Sequence, residues 1–178
     1  MKVWIKEHKM AAAGAGLLIL LSVLALLGPL CSPWLEGRQD VTARNLPASF
    51  THLFGTDKFG RDIFVRVWLG TRISLLIGLA SVLICGLFGA LYGAAAGYIG
   101  GKMGFAIMLI ADVIASIPSL LYIILITLVG GAGVLSILLG ICVAGWIGTA
   151  RIVRGEIVKL KNREFMIAAR LSGAGHRY

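Results

Sequence analysis

The chain carries too little charge for an ordinary soluble domain. Of its 178 residues only 14% are charged, while 58% are hydrophobic, and the mean hydropathy is +0.92. Soluble globular domains have nearly twice that charged fraction. This composition excludes a free-standing soluble domain and predicts a protein that folds with lipid as its solvent.

Cysteine and histidine are also scarce. The three cysteines are far apart in sequence and lack the spacing of a metal site or a disulfide framework, so they are predicted to be small buried side chains: Cys31, Cys85 and Cys142. No nucleophile signature lies near any histidine. The sequence therefore predicts no catalytic residue, no metal ligand and no enzymatic activity in this chain.

A phosphate-binding loop is missing as well. Residues 100–103 superficially resemble one, but Met103 stands where a Walker A loop needs Ser or Thr to hold magnesium. We therefore expect the chain to bind no cofactor of its own.

Long uncharged runs are what the sequence does contain. Residues 10–30, 73–99 and 130–150 each exceed the roughly 18 residues that mark a spanning helix, and a fourth run, 103–129, is broken only by Asp112. The first run is too long for a cleaved signal peptide, so it is predicted to be retained as an anchor. The predicted fold class is an all-α integral membrane protein with four transmembrane helices.

The net charge of +9 indicates topology and does not indicate nucleic-acid binding, because the charges flank the apolar runs. Placing residues 1–9 in the cytoplasm puts the larger share of Lys and Arg on the inner side. Residues 31–72 then form an external loop. Within it, Phe59, Ile63 and Val67 recur at helical spacing, which predicts a short amphipathic helix at the membrane interface before the second span begins at Ile73.

Two stripes of small residues recur at four-residue steps in the second and fourth predicted spans. They are Ser81, Cys85, Gly89, Gly93 and Gly97, and then Ser136, Gly140, Ala144 and Gly148. Small residues let membrane helices approach closely. The stripes predict tight helix packing, and the lining of a translocation path is the alternative.

The third predicted span contains two unusual residues. Pro118 removes the helical hydrogen bond to the carbonyl of Ile114 and should bend the helix, either as a static kink or as a hinge. An acid as deep as Asp112 is a candidate functional group. We expect it to form a structural ion pair with Arg151 or Arg154, and proton transport is the alternative.

One stretch, residues 52–75, contains a GTDxxGRD core. Its members are Gly55, Thr56, Asp57, Gly60, Arg61 and Asp62. Gly and Asp are turn-forming residues, which fits a turn ahead of a helix. This stretch resembles the segment that enters the second helix in permeases of the peptide/nickel family of binding-protein-dependent ABC importers.

A second stretch, residues 145–174, resembles the end of the fourth helix and the cytoplasmic coupling loop of those permeases. Its EAA-x3-G pattern is matched by Ala168, Ala169 and Gly173, while Ile167 replaces the acid and Glu164 is the acid nearest by. The coupling segment is predicted over 160–174. Asn162 and Gly173 suit the two ends of a helix whose face carries Phe165 beside the alanines; a helix resting on lipid headgroups is the alternative.

The resemblance implies a type I ABC importer permease of six helices, of which four are present, with 73–178 as the permease domain cut short at its C-terminus. It implies a heterodimer with a homologous permease, two cytoplasmic ATPase subunits that use ATP and Mg, and an external solute-binding protein. The location is then a bacterial or archaeal cell membrane. The substrate is peptide or chelated nickel, with peptide favoured. The alternative is a self-contained small channel or a proton-coupled carrier that uses Asp112.

Overall fold

The computed structural model describes residues 8–34 and 39–173, so most of the predicted N-terminal tail and the last residue of the predicted coupling segment, Ala174, lie outside the described residues. All regular elements in the described ranges are helical, as the all-α prediction requires. The α-helices are α1 (Lys9–Leu27), α2 (Ile63–Ile99), α3 (Gly101–Ala115), α4 (Ser119–Gly130), α5 (Val134–Gly145), α6 (Ile147–Lys161) and α7 (Glu164–Leu171), with short 3-10 turns at Gly28–Cys31 and Val41–Ala43.

Three helical stretches are long and apolar enough to cross a membrane: Lys9–Cys31, Ile63–Ile99 and Val134–Lys161. Helices α3 and α4 pass the same test only as a pair, and they are bent by 69° relative to each other. The described residues thus hold three candidate spans, or four if the bent pair is one span. The four-span prediction corresponds to the second of these cases.

Two helical stretches extend beyond the predicted bounds of the membrane spans that they carry. The interfacial helix before Ile73 is not a separate element, because α2 runs without a break for 37 residues from Ile63. No proline interrupts this stretch, and the Thr71 hydroxyl donates to the Val67 carbonyl within the helix at 2.8 Å. The helical stretch that carries the fourth predicted span, Val134–Lys161, likewise continues past Ala150 through Arg151, while the end of the span itself stays a prediction.

The chain divides into two compact units, Met1–Leu76 and Ile77–Tyr178. In the first unit Arg72 joins α2 to the end of α1. Its guanidinium donates to the carbonyls of Ala25 at 2.6 Å and Leu26 at 2.7 Å. These carbonyls belong to the last turn of α1, where carbonyl groups lack partners within the helix. Arg72 therefore supplies hydrogen-bond donors to two carbonyls at the C-terminal end of α1.

In the second unit the small-residue stripe of α2 packs against α6. A Cβ at Gly93 would overlap the carbonyl oxygen of Ala150, and one at Gly97 would lie 2.8 Å from Ile157. Only glycine permits this backbone approach, so the packing interpretation of this stripe is confirmed.

The core of the second unit forms around Trp146, which separates α5 from α6. Its ring lies 4.9 Å from that of Phe88 and 4.6 Å from that of Tyr92, measured between centroids. Ala96, Met108, Ala111, Ile147, Ala150 and Cys85 complete this buried cluster. The cysteine prediction holds for buried Cys85 but is wrong for Cys31, which is exposed beyond the end of α1.

Candidate functional site

The candidate site of the second unit is built around the helix break at Pro118, between α3 and α4. Pro118 has φ −54° and ψ 130°, an extended conformation that stops α3 from continuing into α4. The predicted bend is therefore present. Proline lacks an amide hydrogen and its ring excludes the helical position of the preceding turn.

Two carbonyls in the last turn before the break accept hydrogen bonds from side chains in addition to those from backbone amides. The Ser116 hydroxyl donates to the carbonyl of Val113 at 2.6 Å, and the Tyr122 hydroxyl donates to that of Ile114 at 3.0 Å. The role of Tyr122 was not expected from the sequence. A tyrosine four residues after a proline inside an apolar run was the available signal, since a phenol buried there needs a partner.

Asp112 forms the predicted ion pair, and its partner is Arg151. The Nη2 nitrogen of Arg151 lies 2.7 Å from Oδ1 of Asp112, and the two side chains are 53% and 52% exposed. The pair joins α3 to α6. Charged groups at membrane depth are costly unless paired, so this contact favours the structural interpretation of Asp112 over proton transport.

A cleft of about 270 Å³ opens between the helix break and the junction of α5 with α6. Its lining consists of Ala115, Ile117, Pro118, Ser119, Ala144, Ile147, Gly148 and Arg151. A Cβ placed on Gly148 would meet nothing within 4 Å, so the space in front of this residue is open.

The second small-residue stripe thus divides into two parts. At Gly140 a Cβ would lie 2.6 Å from the Cα of Ile123, so this half of the stripe packs α5 closely against α4. Ala144 and Gly148, one and two turns further on, line the cleft instead. The packing interpretation is therefore confirmed for the half of the stripe at Gly140, while the lining of a translocation path by the other half stays a prediction.

Four of the predicted coupling residues, Glu164, Phe165, Ala168 and Ala169, lie on α7, and Gly173 follows it. The helix begins later than expected. Asn162 is not the N-cap; it ends α6 with φ −99° and ψ 3°. The carbonyl of Arg163 accepts from the amides of Met166 and Ile167, so Arg163 precedes the first turn of α7. Gly173 has φ +85°, the left-handed conformation predicted for the residue that ends this helix.

Helix α7 leaves large apolar side chains uncovered. Phe165 is 59% exposed and Leu171 is 84% exposed. Phe165, Ala168 and Ala169 share one face at three- and four-residue spacing, and Glu164 lies in the first turn. An outward face with one large side chain beside two small ones can seat closely in a partner's groove.

In the first unit, the GTDxxGRD residues form a tight turn that starts α2. A Cβ at Gly60, which has φ +72°, would overlap the carbonyl oxygen of Asp40. Thr56 pairs with Asp62 in an isolated antiparallel bridge, and its hydroxyl accepts from the amide of Leu46 at 2.9 Å. The predicted turn is therefore present and is held by hydrogen bonds and close packing. Its contacts with Asp40 and Leu46 were not expected, because these residues are distant from the turn in sequence.

Asp57 is held in its ionised form inside this turn. Desolvation raises its pKa, but backbone hydrogen bonds from Arg61 and Phe59 and the guanidinium of Arg61 outweigh that effect and lower the pKa to about 2. The Arg61 Nε lies 2.9 Å from the carboxylate, and Arg66 contacts the same oxygen. Asp57 therefore binds two cations, Arg61 just before α2 and Arg66 in its first turn.

Asp62 ends the motif and caps α2. Its Oδ1 accepts from the amide of Val65 at 3.0 Å, and its Oδ2 lies 2.8 Å from Nδ1 of His52. The His52 ring stacks on Trp34 with 4.5 Å between centroids. All six motif residues thus serve one structure, the anchored N-terminus of α2.

Comparison with known proteins gives two family matches. Residues 86–178 match the family described as binding-protein-dependent transport system inner membrane component. Residues 4–48 match the N-terminal TM domain of oligopeptide transport permease C.

Individual relatives are similar over most of the chain. It is 44% identical over 170 residues to the dipeptide transport system permease protein DppC of Bacillus subtilis, covering 96% of this chain and 53% of that protein. It is 38% identical to the oligopeptide transport system permease protein OppC of the same organism, covering 95% and 55%. It is 36% identical to the nickel transport system permease protein NikC of Escherichia coli strain K12, covering 89% and 58%. The chain spans about half the length of the curated relatives it matches.

Proposed function

Since the chain belongs to the family of binding-protein-dependent transport system inner membrane components, we propose that it is a permease subunit of an ATP-driven importer. The observation that carries the proposal is the placement of α7. This helix directly follows the candidate span Val134–Lys161 and leaves Phe165 uncovered. A driven transporter needs such a surface to receive motion from a separate ATPase.

The proposed substrate is a peptide. DppC and OppC are named as dipeptide and oligopeptide permeases, and NikC as a nickel permease. The first two share more identity with this chain than NikC does, which supports peptide over nickel. A nickel chelate is the second candidate on the strength of NikC.

The proposed assembly contains four kinds of subunit. This chain pairs with a homologous permease, two cytoplasmic ATPase subunits bind ATP and Mg, and an external solute-binding protein delivers the substrate. The chain itself contributes the translocation path and performs no covalent chemistry. The exposed side chain of Phe165 supports the ATPase contact, because a large apolar side chain that faces water is costly unless a partner covers it.

We further propose that the N-terminus and α7 lie in the cytoplasm, in the cell membrane of a bacterium or archaeon. In a background with Cys31, Cys85 and Cys142 replaced, Gln39→Cys should react with an impermeant thiol reagent outside intact cells, whereas Arg163→Cys should react only after permeabilisation. Both positions are exposed, so accessibility of the side chain does not bias the comparison. Labelling of Arg163→Cys in intact cells would contradict this orientation.

The coupling role of α7 is tested by Phe165→Ala and by Ala169→Glu in the assembled transporter. Truncating a buried interface anchor commonly costs on the order of 2 kcal/mol, or roughly a 30-fold loss of affinity. We expect both variants to lose co-purification of the ATPase subunits and substrate uptake, while the permease stays in the membrane.

A matched control lies on the same helix. Ile167 is 47% exposed, and its position two residues from Phe165 puts it on another face of α7. Ile167→Ala should retain the ATPase subunits. If Phe165→Ala and Ala169→Glu also retained them and transported normally, α7 would be a helix of the lipid surface and the coupling proposal would fall.

A further inference from the structure

The geometry of the cleft at Pro118 points to a binding site for the C-terminal carboxylate of the transported peptide, with Arg151 as the binding residue and Asp112 as a positioning residue. This inference rests on the proposed function, because it names the part of the substrate that the permease itself contacts.

The guanidinium of Arg151 has unused hydrogen-bond donors in the described part of the chain. Only its Nη2 nitrogen is engaged, by Asp112 at 2.7 Å, and its Nε and Nη1 have no hydrogen-bond partner in the described part of the chain. The side chain is half exposed and lines the cleft. A guanidinium presents its donors as a rigid fork that matches a carboxylate in two parallel hydrogen bonds.

Asp112 tunes the strength of that contact. An isolated arginine at membrane depth would be costly, and it would hold an anion too firmly to release it. The carboxylate of Asp112 neutralises the pair and fixes the guanidinium by its Nη2. A transport path needs binding that is favourable enough for entry and weak enough for exit. The ion pair therefore gives a weak, oriented carboxylate site.

The size of the cleft indicates which part of a peptide it holds. Its volume of about 270 Å³ is just below that of typical ligand pockets, which start at about 300 Å³. It is too small for a long peptide but large enough for a terminal residue. Gly148 and Ala144 contribute only small side chains to its wall. The site therefore recognises the terminus that all peptides share and discriminates little between peptide side chains.

The N-terminus of α4 also favours a negatively charged ligand in the cleft. Ser119 lies at the cleft, and Pro118 supplies no side-chain cap to the first turn of this 12-residue helix. Free amides and the helix dipole at that end favour an anion. This contribution adds to Arg151, which carries the site.

The test is protection of a thiol placed inside the cleft. In the cysteine-free background, Gly148→Cys should fold normally, because a Cβ there meets nothing within 4 Å. Labelling by a small methanethiosulfonate reagent is measured in the assembled transporter in nanodiscs, with a large excess of Ala-Ala or of its C-terminal amide. We expect the free acid to slow labelling at least threefold and the amide to leave it unchanged.

Second-site variants assign the effect to Arg151. Protection should be lost in Gly148→Cys combined with Arg151→Gln and partly kept with Arg151→Lys, since lysine retains the charge but not the fork. Gly155→Cys is the matched control: it lies on the same helix outside the cleft, a Cβ there also meets nothing, and neither peptide should slow its labelling.

Several outcomes would overturn the inference. These are absence of labelling without peptide, equal protection by the acid and the amide, and protection that survives Arg151→Gln. Slower labelling in anionic than in zwitterionic lipid, with no effect of Ala-Ala, would assign the cleft to a lipid phosphate instead. Measuring ATP-driven Ala-Ala uptake in parallel distinguishes failure of the cleft site from failure of the proposed function. Uptake without protection would overturn the cleft site alone. Absence of uptake by the intact assembly would overturn the proposed function.

Discussion

Replacing Gly93 with valine should prevent α2 and α6 from packing together. A Cβ at this position would overlap the carbonyl oxygen of Ala150 and lie 2.9 Å from its Cα. Both are backbone atoms, so no side-chain rotation can relieve the clash. Overpacking a well-filled core typically costs about 1 to 3 kcal/mol, and we expect the upper end or more, because the two helices would have to separate.

The measurement is thermal unfolding in detergent micelles, in a background with Cys31 and Cys142 replaced, monitored by reaction of a thiol-specific dye with Cys85, which is buried in the same cluster. Gly93→Val should lower the midpoint strongly or leave Cys85 reactive before heating. Gly78→Val is the matched control, since it lies on α2 and a Cβ there meets nothing within 4 Å. Equal midpoints for the two variants would mean that α2 and α6 do not approach as closely as the structure shows.

Replacing Asp62 with alanine should release the start of α2 from the external turn. The change removes the cap on the Val65 amide, and it leaves His52, whose side chain is 6% exposed, without the partner of its Nδ1. A lost N-cap costs about 1 kcal/mol, and an unsatisfied buried polar group costs about 1 to 3 kcal/mol. The total is on the order of 3 kcal/mol, or roughly a hundredfold loss of local exchange protection.

Amide hydrogen exchange over residues 63–66 measures this effect directly. His52→Phe is the companion variant, because its ring can keep the stack on Trp34 without needing a partner at Nδ1. The double variant should lose less stability than the sum of the single variants, since no unpaired imidazole then remains. Unchanged exchange in Asp62→Ala would show that the cap and the pair contribute nothing to the start of α2.

Helix ends at proline and glycine could be predicted from the sequence, because the backbone preferences of these residues decide them. Pro118 stops α3 by its own ring, and Gly173 adopts the positive φ that ends α7. The start of α7 was not predictable in the same way. Asn162 is a good cap in isolation, but α6 extends to Lys161 and uses Asn162 for its own end. The preference of Asn162 to cap the start of α7 was therefore outweighed by the continuation of α6 up to this residue.

The sequence by itself determined that the chain is helical and apolar enough for lipid, where the turns lie, and which family it resembles. These properties depend on composition and on residues close together along the chain. Only the tertiary structure decided that Arg151 and not Arg154 pairs with Asp112, that Tyr122 takes the carbonyl of Ile114, and that one half of a small-residue stripe packs while the other half lines a cleft. Each of these depends on which helices meet and at what angle, and the 69° bend at Pro118 sets that angle for the cleft.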